Sequence, residues 1–124
     1  MRGFLAVLKA DPAGPRPALR TAAAVARETG QRELLAEALA MAAVAEDMAG
    51  EYAAAGVLIG EADLAAGAVD HYPSARAGVL QAQTLHAFFA GDQAAARAAA
   101  AEGVRHARET GDHYTLGILS LIHI

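Results

Sequence analysis

The pentapeptide Ala-Arg-Glu-Thr-Gly stands at residues 26–30 and again, unchanged, at residues 107–111. The two copies lie 81 residues apart, and each closes an alanine-rich segment. A second signal, Ala-Gly, occurs at 49–50 and at 90–91, which is a separation of 41 residues. Self-similarity at such a period is typical of architectures built from repeated helical hairpins. The sequence therefore predicts about three hairpins of roughly 40 residues each.

The internal match extends to the residues between these signals. At an offset of 41, Leu39 falls on Leu80, and the alanine run 53–55 falls on 94–96. Agreement in one phase across two segments favours a true repeat over chance alanine content. Apolar residues at spacings of three and four give each predicted helix one broad apolar face. Those faces include Leu34, Met48, Tyr52 and Phe89.

Glycine and proline mark the predicted ends of the helices. Proline removes a backbone donor and clashes inside a helix, whereas glycine accepts the left-handed conformation that commonly ends one. These signals divide one domain into hairpins at 2–30, 31–70 and 71–111, with the start of a fourth at 112–124. We therefore predict an all-α, right-handed solenoid of antiparallel hairpins.

Alanine supplies much of the apolar share of 55%, and aromatic residues only 5% of the chain. Because alanine buries little area, the core must depend on high helix propensity and close helix approach. The alanine ladder of the 93–101 segment is expected to supply such a contact. Leucine at Ala95 or Ala99 is accordingly expected to overpack it, at a cost of about 1–3 kcal/mol.

Composition excludes several classes of protein. The chain has no cysteine, which removes disulfides, thiolate metal sites and a cysteine nucleophile together. The apolar run at residues 4–8 is too short for a signal-peptide core, and Lys9 and Asp11 follow it. No stretch is long and apolar enough to span a bilayer. These observations predict a cytoplasmic protein without a membrane partner.

Charge is unevenly distributed along the chain. Residues 31–70 carry eight carboxylates against one arginine, although the whole chain has a net charge of only −4. Such a segment repels phosphate, so direct binding of nucleic acid by it is not expected. Two interpretations of the acidic segment stay open: a solvated polar face, or a site for a basic partner.

The residues needed for catalysis are scarce. Ser74 and Ser120 are the only serines, and neither lies in a Gly-x-Ser-x-Gly turn. Glu102 and His106 lie four apart and could bind a metal together with His86, but the same spacing also describes an ordinary surface ladder of helical pairs. With no His-Glu-x-x-His motif, we predict no enzyme activity, no catalytic residue, no cofactor and no metal site.

The predicted turn at residues 89–92 and the segment after it resemble a known family. Phe89-Ala90-Gly91-Asp92, followed by the alanine ladder and by Ala-Arg-Glu-Thr-Gly-Asp at 107–112, resembles tetratricopeptide-like repeats. In particular it resembles the variants found in the helical arms of bacterial LuxR-type and SARP-type transcriptional regulators. The chain has no phosphate loop, since Lys9 is its only lysine, and no recognisable helix-turn-helix. The resemblance therefore implies a sensor or scaffold arm of such a regulator.

The resemblance also implies that the first helix of each hairpin lines a groove. The candidate contacts at those positions are Glu33, Glu37, Arg76, Gln81, Gln83 and His86. The expected partner is a protein, a peptide or a neighbouring domain of the same full-length protein. A small-molecule inducer held in the groove is the alternative, and a metal-dependent hydrolase centred on His106 is a third interpretation. Two adjacent aromatic residues could stack on a ligand or belong to the core: Phe88 and Phe89.

The last segment of the chain is apolar on nearly every side. Leu116, Leu119 and Leu121 fall within a dozen residues that have no partner hairpin after them. A solenoid normally ends in a repeat with a polar outer face. We therefore expect the chain to be part of a longer array and to self-associate through this segment.

Overall fold

The structure, a computed structural model, describes residues 16–67 and 73–111. Every regular element within these two ranges is an α-helix, which confirms the predicted all-α repeat fold. Predictions for the segments outside them, including the apolar run at residues 4–8 and the C-terminal segment 112–124, lie outside the described residues. The helices are α1 (Arg16–Glu28), α2 (Arg32–Met48), α3 (Tyr52–Ala66), α4 (Pro73–Phe89) and α5 (Gln93–Thr110).

The glycines of the repeat close three helices in the same way. After α2, Gly50 has a φ of +84°, and its N–H donates to the carbonyl oxygen of Asp47 at 3.0 Å. The next N–H, from Glu51, donates to the carbonyl oxygen of Glu46 at 2.8 Å. This pair of hydrogen bonds is the Schellman motif, which requires a left-handed residue that glycine adopts without steric cost. The same pattern follows α1 at Gly30 and α4 at Gly91.

Helix α2 lies at the centre of the described array. It packs against α1 and α3, its neighbours along the chain, and against α4, the first helix of the next hairpin. The backbones of α2 and α4 approach closely, since a Cβ atom placed on Gly78 would lie 4.0 Å from the Cβ of Ala40. Helix α4 also packs against α3 and α5. The hairpins therefore stack side by side, as a solenoid requires.

The core is built mostly from alanine, with a few larger side chains at repeat-equivalent positions. Leu39 is 3% exposed and Leu80 is 2% exposed, and these two residues coincide at the offset of 41 found in the sequence. Ile59 and Val79 are the other large aliphatic side chains among the buried residues described. Larger side chains are thus rare in the interior, so each one accounts for a large share of the buried apolar area.

The predicted buried position of Ala95 in α5 is wrong, whereas the prediction for Ala99 is not contradicted. In α5, Ala95 is exposed and Ala99 is half-buried, while Ala96 and Ala100 are buried. The predicted face was rotated by about one residue, because the alanines on either side of Arg97 have identical side chains and were assigned without reference to the charged side of the helix. The helix begins with an N-cap contact, in which the Asp92 carboxylate accepts from the N–H of Ala95 at 3.0 Å.

Several apolar residues predicted for the core are exposed at helix ends or on the outer surface. These residues are exposed because the predicted apolar faces are wider than the neighbouring helices can cover. The core interpretation of the two adjacent phenylalanines fails for the same reason, and their rings form an edge-to-face pair with centroids 5.9 Å apart. The exposed residues are Leu34, Met48, Tyr52, Phe88 and Phe89.

The orientation of α5 can be tested by overpacking. Replacing Ala100 with leucine should lower the free energy of unfolding by about 2 kcal/mol, because three added carbons have no space in a fully buried position. Replacing Ala95 with leucine should change it by less than about 0.5 kcal/mol, because that position is open to solvent. Urea unfolding of both variants measures the difference. Equal effects would contradict the observed face.

Candidate partner-binding surface

One side of α2 is only partly covered by the other described helices. Its residues follow the spacing of three and four that keeps side chains on one face of a helix. They form a stripe along the helix, in which the residues at the two ends are exposed and the residues between them are half-buried. The stripe is formed by Leu34, Glu37, Met41, Val44 and Met48. All but one of these side chains are apolar, so the stripe is an apolar ridge with a single carboxylate.

Helix α4 presents a matching stripe. It runs from Ser74 through Gly78, Gln81 and Leu85 to Phe88, and each of these residues is exposed or half-buried. Gly78 belongs to this stripe and also approaches Ala40 of α2, so the stripes of α2 and α4 adjoin along their closest contact. We refer to the ten residues of the two stripes, together with Glu33 at their edge, as the α2/α4 face.

The charge on the α2/α4 face is negative and lies at the start of α2. Burial raises the pKa of the Glu37 carboxyl above its ordinary value, and the nearby carboxylate of Glu33 raises it further. Neither carboxylate forms an ion pair with any described residue. Neither stripe contains a basic side chain. The face thus combines an apolar surface with uncompensated negative charge at one end.

Only three of the six candidate contacts predicted from the sequence lie on the α2/α4 face. Glu33, Glu37 and Gln81 lie on the α2/α4 face. Gln83 is half-buried two positions beyond Gln81, on another side of α4. Arg76 and His86 lie at the packed side of α4 and contact neighbouring helices. The sequence could not distinguish these groups, because α4 carries polar residues on more than one side.

Arg76 joins α4 to the C-terminal end of α3. Its guanidinium donates to the carboxylate of Asp63 and, at 2.6 Å, to the carbonyl oxygen of Gly67. Arg32 of α2 donates to the carbonyl oxygen of Leu64 at 3.1 Å. Cationic side chains at a helix C-terminus satisfy carbonyl groups that have no partner within the helix. Arg76 therefore has a structural role in the observed fold.

His86 lies between α2 and α3. Its Nδ1 atom is 2.9 Å from Oδ1 of Asp47, whose side chain has no exposed surface. The other side of the ring faces Gly56 of α3, where a Cβ atom would lie 3.6 Å from Nε2. Burial raises the pKa of the Asp47 carboxyl, and the hydrogen bond and charge of His86 oppose that shift. The contact is a polar link among three helices.

A second buried carboxylate links α1 to α2. Glu46 is 1% exposed, and its two oxygens accept from Nε of Arg16 at 2.8 Å and from Nη2 of Arg16 at 2.9 Å. Arg20 donates to the same carboxylate at 3.1 Å. The Glu46 carboxylate in turn raises the pKa of Arg16. The interpretation of the acidic segment as a solvated face is thus wrong for Glu46, and for Asp47 next to it.

A separate cleft lies between α1 and α3, with α2 as its floor. Its volume is about 410 Å³, which is within the range of small-molecule sites. An ion pair crosses it, since Nη2 of Arg27 is 3.2 Å from a carboxylate oxygen of Glu61. The cleft is lined by Arg20, Ala23, Arg27, Leu39, Ala42, Ala54, Val57, Leu58 and Glu61. Its surface is therefore mostly apolar, with both signs of charge at the mouth.

The described part of the chain offers little for metal chemistry. Within residues 16–67 and 73–111, no group of three or more histidines and carboxylates is arranged to hold a metal ion. His106 is buried, so the interpretation of Glu102 and His106 as an ordinary surface ladder does not fit His106. None of the helices in these ranges combines the length and hydropathy needed to cross a bilayer.

Stacked hairpins, glycine-closed turns and an open face on the first helices define a helical-repeat scaffold of the tetratricopeptide-like class. A family model described as anaphase-promoting complex subunit 5 matches residues 7–49 and 50–123. The two matches cover nearly the whole chain, so the protein belongs to this family. The boundary between them falls at the turn that separates α2 from α3. No curated protein and no solved structure matches the chain significantly.

The uncompensated charge of the α2/α4 face predicts a pH-dependent stability. A raised pKa means that the folded state binds the Glu37 proton more tightly, so the free energy of unfolding falls as pH rises from 4.5 through the raised value. Glu37→Gln should therefore stabilise the protein at pH 7, by at most about 0.5 kcal/mol after solvent screening. The gain should disappear as pH falls toward 4.5.

Thermal unfolding of both proteins from pH 4 to pH 7 measures this difference. Glu102→Gln is the control, since Glu102 is exposed on α5 away from the α2/α4 face. A stabilisation by Glu37→Gln that stays constant with pH would show that the effect does not come from titration of Glu37.

Proposed function

We propose that this protein is a non-catalytic interaction scaffold whose α2/α4 face binds a protein or peptide. The observation that supports the proposal is the open face itself. Its two adjoining helical stripes are apolar along α2 and toward the C-terminal end of α4, and the carboxylates at one end form no ion pair within the described ranges. Contiguous apolar surface on a soluble repeat is typical of an interaction site. The family description names a subunit of a complex, which is compatible with a protein partner.

The wider setting is a separate proposal. An arm of a bacterial transcriptional regulator in the cytoplasm is implied by the resemblance of residues 89–112 to the repeats of such regulators. Sequencing of the flanking DNA tests it. A phosphate-loop ATPase upstream and a helix-turn-helix downstream would support the regulator arm. Stop codons close to both ends would contradict it and leave a free-standing scaffold.

Selection from a displayed library of random 16-residue peptides tests the interaction surface. Enriched peptides should bind the purified protein, and their affinity should fall about tenfold for Phe88→Ala, since an exposed aromatic side chain is a typical anchor of an interface. Phe88 is 59% exposed, so its removal should leave the fold intact. The matched control is Leu64→Ala, because Leu64 is 78% exposed on α3, outside the α2/α4 face. Affinity that depends on Leu64 instead of Phe88 would refute the assignment of the surface.

The alternative function, binding of a small molecule, is favoured by one observation, the cleft between α1 and α3. Ala54→Leu should fill this cleft, since Ala54 lines it and is half-buried. The scaffold proposal expects no change in peptide affinity for this variant. If Ala54→Leu abolishes ligand binding while Phe88→Ala does not, the cleft is the binding site.

A further inference from the structure

We propose that the partner of the α2/α4 face is a basic amphipathic α-helix. Its cationic residues lie over Glu33 and Glu37, and its apolar residues lie over the opposite end of the face, near Met48 and Phe88. The inference rests on the proposed function, since it assigns the chemistry of the partner to that same surface. Shape, side-chain chemistry and charge each support it.

The shape of the face suits a helix. Its two stripes are parallel ridges spaced at three and four residues, and such ridges pack against the ridges of a further helix. From Glu33 to Met48 the α2 side of the face covers 15 helical steps, which corresponds to about 22 Å at 1.5 Å per residue. A helix of about four turns covers this distance. The partner segment therefore has about 15 residues in contact, with anchors at helical spacing.

The apolar part of the face has the side chains expected of a helix-binding surface. Met41 and Met48 are unbranched and adapt their shape to a partner, a property that surfaces recognising apolar helices exploit. Leu85 lies between them and Phe88 on the α4 side. The exposed ring of Phe88 then provides an anchor at the end of the face that lies farthest from the carboxylates.

The carboxylates of the α2/α4 face determine which sign of charge the partner should carry. The four buried or bridging carboxylates of the acidic segment have cationic or imidazole partners: Glu46, Asp47, Glu61 and Asp63. Glu33 and Glu37, like Glu51, form no ion pair with any described residue. Glu33 and Glu37 lie only four residues apart, and burial disfavours the charge of Glu37. A lysine or arginine from a partner would supply the missing opposite charge, whereas an acidic peptide would add repulsion.

Charge reversal tests the inference with the same peptide library. Against the native protein, we expect enriched peptides to carry lysine or arginine clustered at one end and apolar residues at spacings of three and four toward the other. Against Glu33→Lys/Glu37→Lys, the basic cluster should be replaced by an acidic one. Replacing the lysines of one native-selected peptide with glutamate should weaken its binding about tenfold at low salt, and less at 1 M salt.

Glu102→Lys/Glu109→Lys is the matched control. Both residues are exposed on α5, so this variant has the same change in net charge on a different surface. Its selected peptides should keep the basic cluster. If they lose it as well, net charge alone sets the preference and the inference is refuted. Glu33→Gln/Glu37→Gln provides a milder test should the reversed variant fail to fold, and it should abolish the basic preference without inverting it.

The results separate this inference from the function on which it rests. Peptides that depend on Phe88 but show no basic cluster would overturn the inference and leave the scaffold function intact. Peptides whose binding is unaffected by Phe88→Ala would refute both. A basic cluster that is scattered along the peptides, instead of lying at one end, would also overturn the proposed orientation.

Discussion

Replacing Glu46 with glutamine is expected to lower the free energy of unfolding by about 3 kcal/mol. The carboxylate is 1% exposed and accepts three hydrogen bonds from Arg16 and Arg20. Glutamine has nearly the same size as glutamate. However, its NH₂ group is a hydrogen-bond donor and would face the N–H donors of the guanidinium groups at the centre of the α1–α2 contact. The expected cost is at the lower end for a broken buried pair, because both arginines retain access to water.

The chain contains an exposed pair that serves as a control. Glu61 pairs with Arg27 at 3.2 Å, and both side chains are about half exposed. Glu61→Gln should therefore cost no more than about 1 kcal/mol. Urea unfolding of the two variants at pH 7 provides the comparison. If Glu46→Gln is no more destabilising than Glu61→Gln, burial does not strengthen the α1–α2 link and its structural role is smaller than the geometry indicates.

Replacing Leu80 with alanine is also expected to cost about 3 kcal/mol. Leu80 is 2% exposed, so truncation removes buried apolar area and leaves a cavity. The surrounding core is mostly alanine, whose short side chains cannot move far enough to fill the space. The loss should appear as a lower midpoint of urea unfolding with an unchanged slope, because the slope follows the surface exposed on unfolding.

Two further leucines make the test specific. Leu39→Ala should have an effect close to that of Leu80→Ala, because Leu39 occupies the equivalent position one repeat earlier and is 3% exposed. Leu64→Ala should change the free energy of unfolding by less than about 0.5 kcal/mol, since that side chain is 78% exposed. A large loss for Leu64 or a small one for Leu80 would contradict the observed core.

The helical repeat was predictable because its signals are local. A glycine with φ of +80° at residue 91 or +84° at residue 50 is needed wherever a helix ends in a Schellman turn, and few other residues adopt that conformation cheaply. The recurrence of those turns at one spacing indicates the hairpins. The buried pair of Leu39 and Leu80 follows from the same period.

The orientation of the alanine-rich helix was not predictable in the same way. Ala95 and Ala96 have identical side chains, yet one is exposed and the other buried. Periodicity identifies a buried face only where apolar residues alternate with polar ones. Within the alanine run 98–101 all side chains are the same, so the run alone does not show which alanines α4 covers, although the exposed charged residues elsewhere in α5 mark the opposite side.

In the candidate site, too, the sequence identified residues whose surroundings only the tertiary structure shows. Glu33, Glu37 and Gln81 lie on the α2/α4 face, whereas Arg76 and His86 join α4 to its neighbours. All five occupy first helices of hairpins, so the repeat position alone is not enough to separate them. What separates them is whether another helix packs on that side of the first helix.

The amino-acid sequence by itself determined the class of fold, the positions of the turns and the repeat-equivalent core leucines, because helix periodicity and glycine conformation act over a few residues. Only the tertiary structure decided which carboxylates are buried. Glu46 and Asp47 are enclosed by cationic and imidazole partners that lie 26 to 39 residues away in the chain, whereas Glu37 is half-buried and has no ion-pair partner among the described residues. The physical reason is that burial and charge compensation depend on which helices pack together, a property of the whole array that no single segment contains.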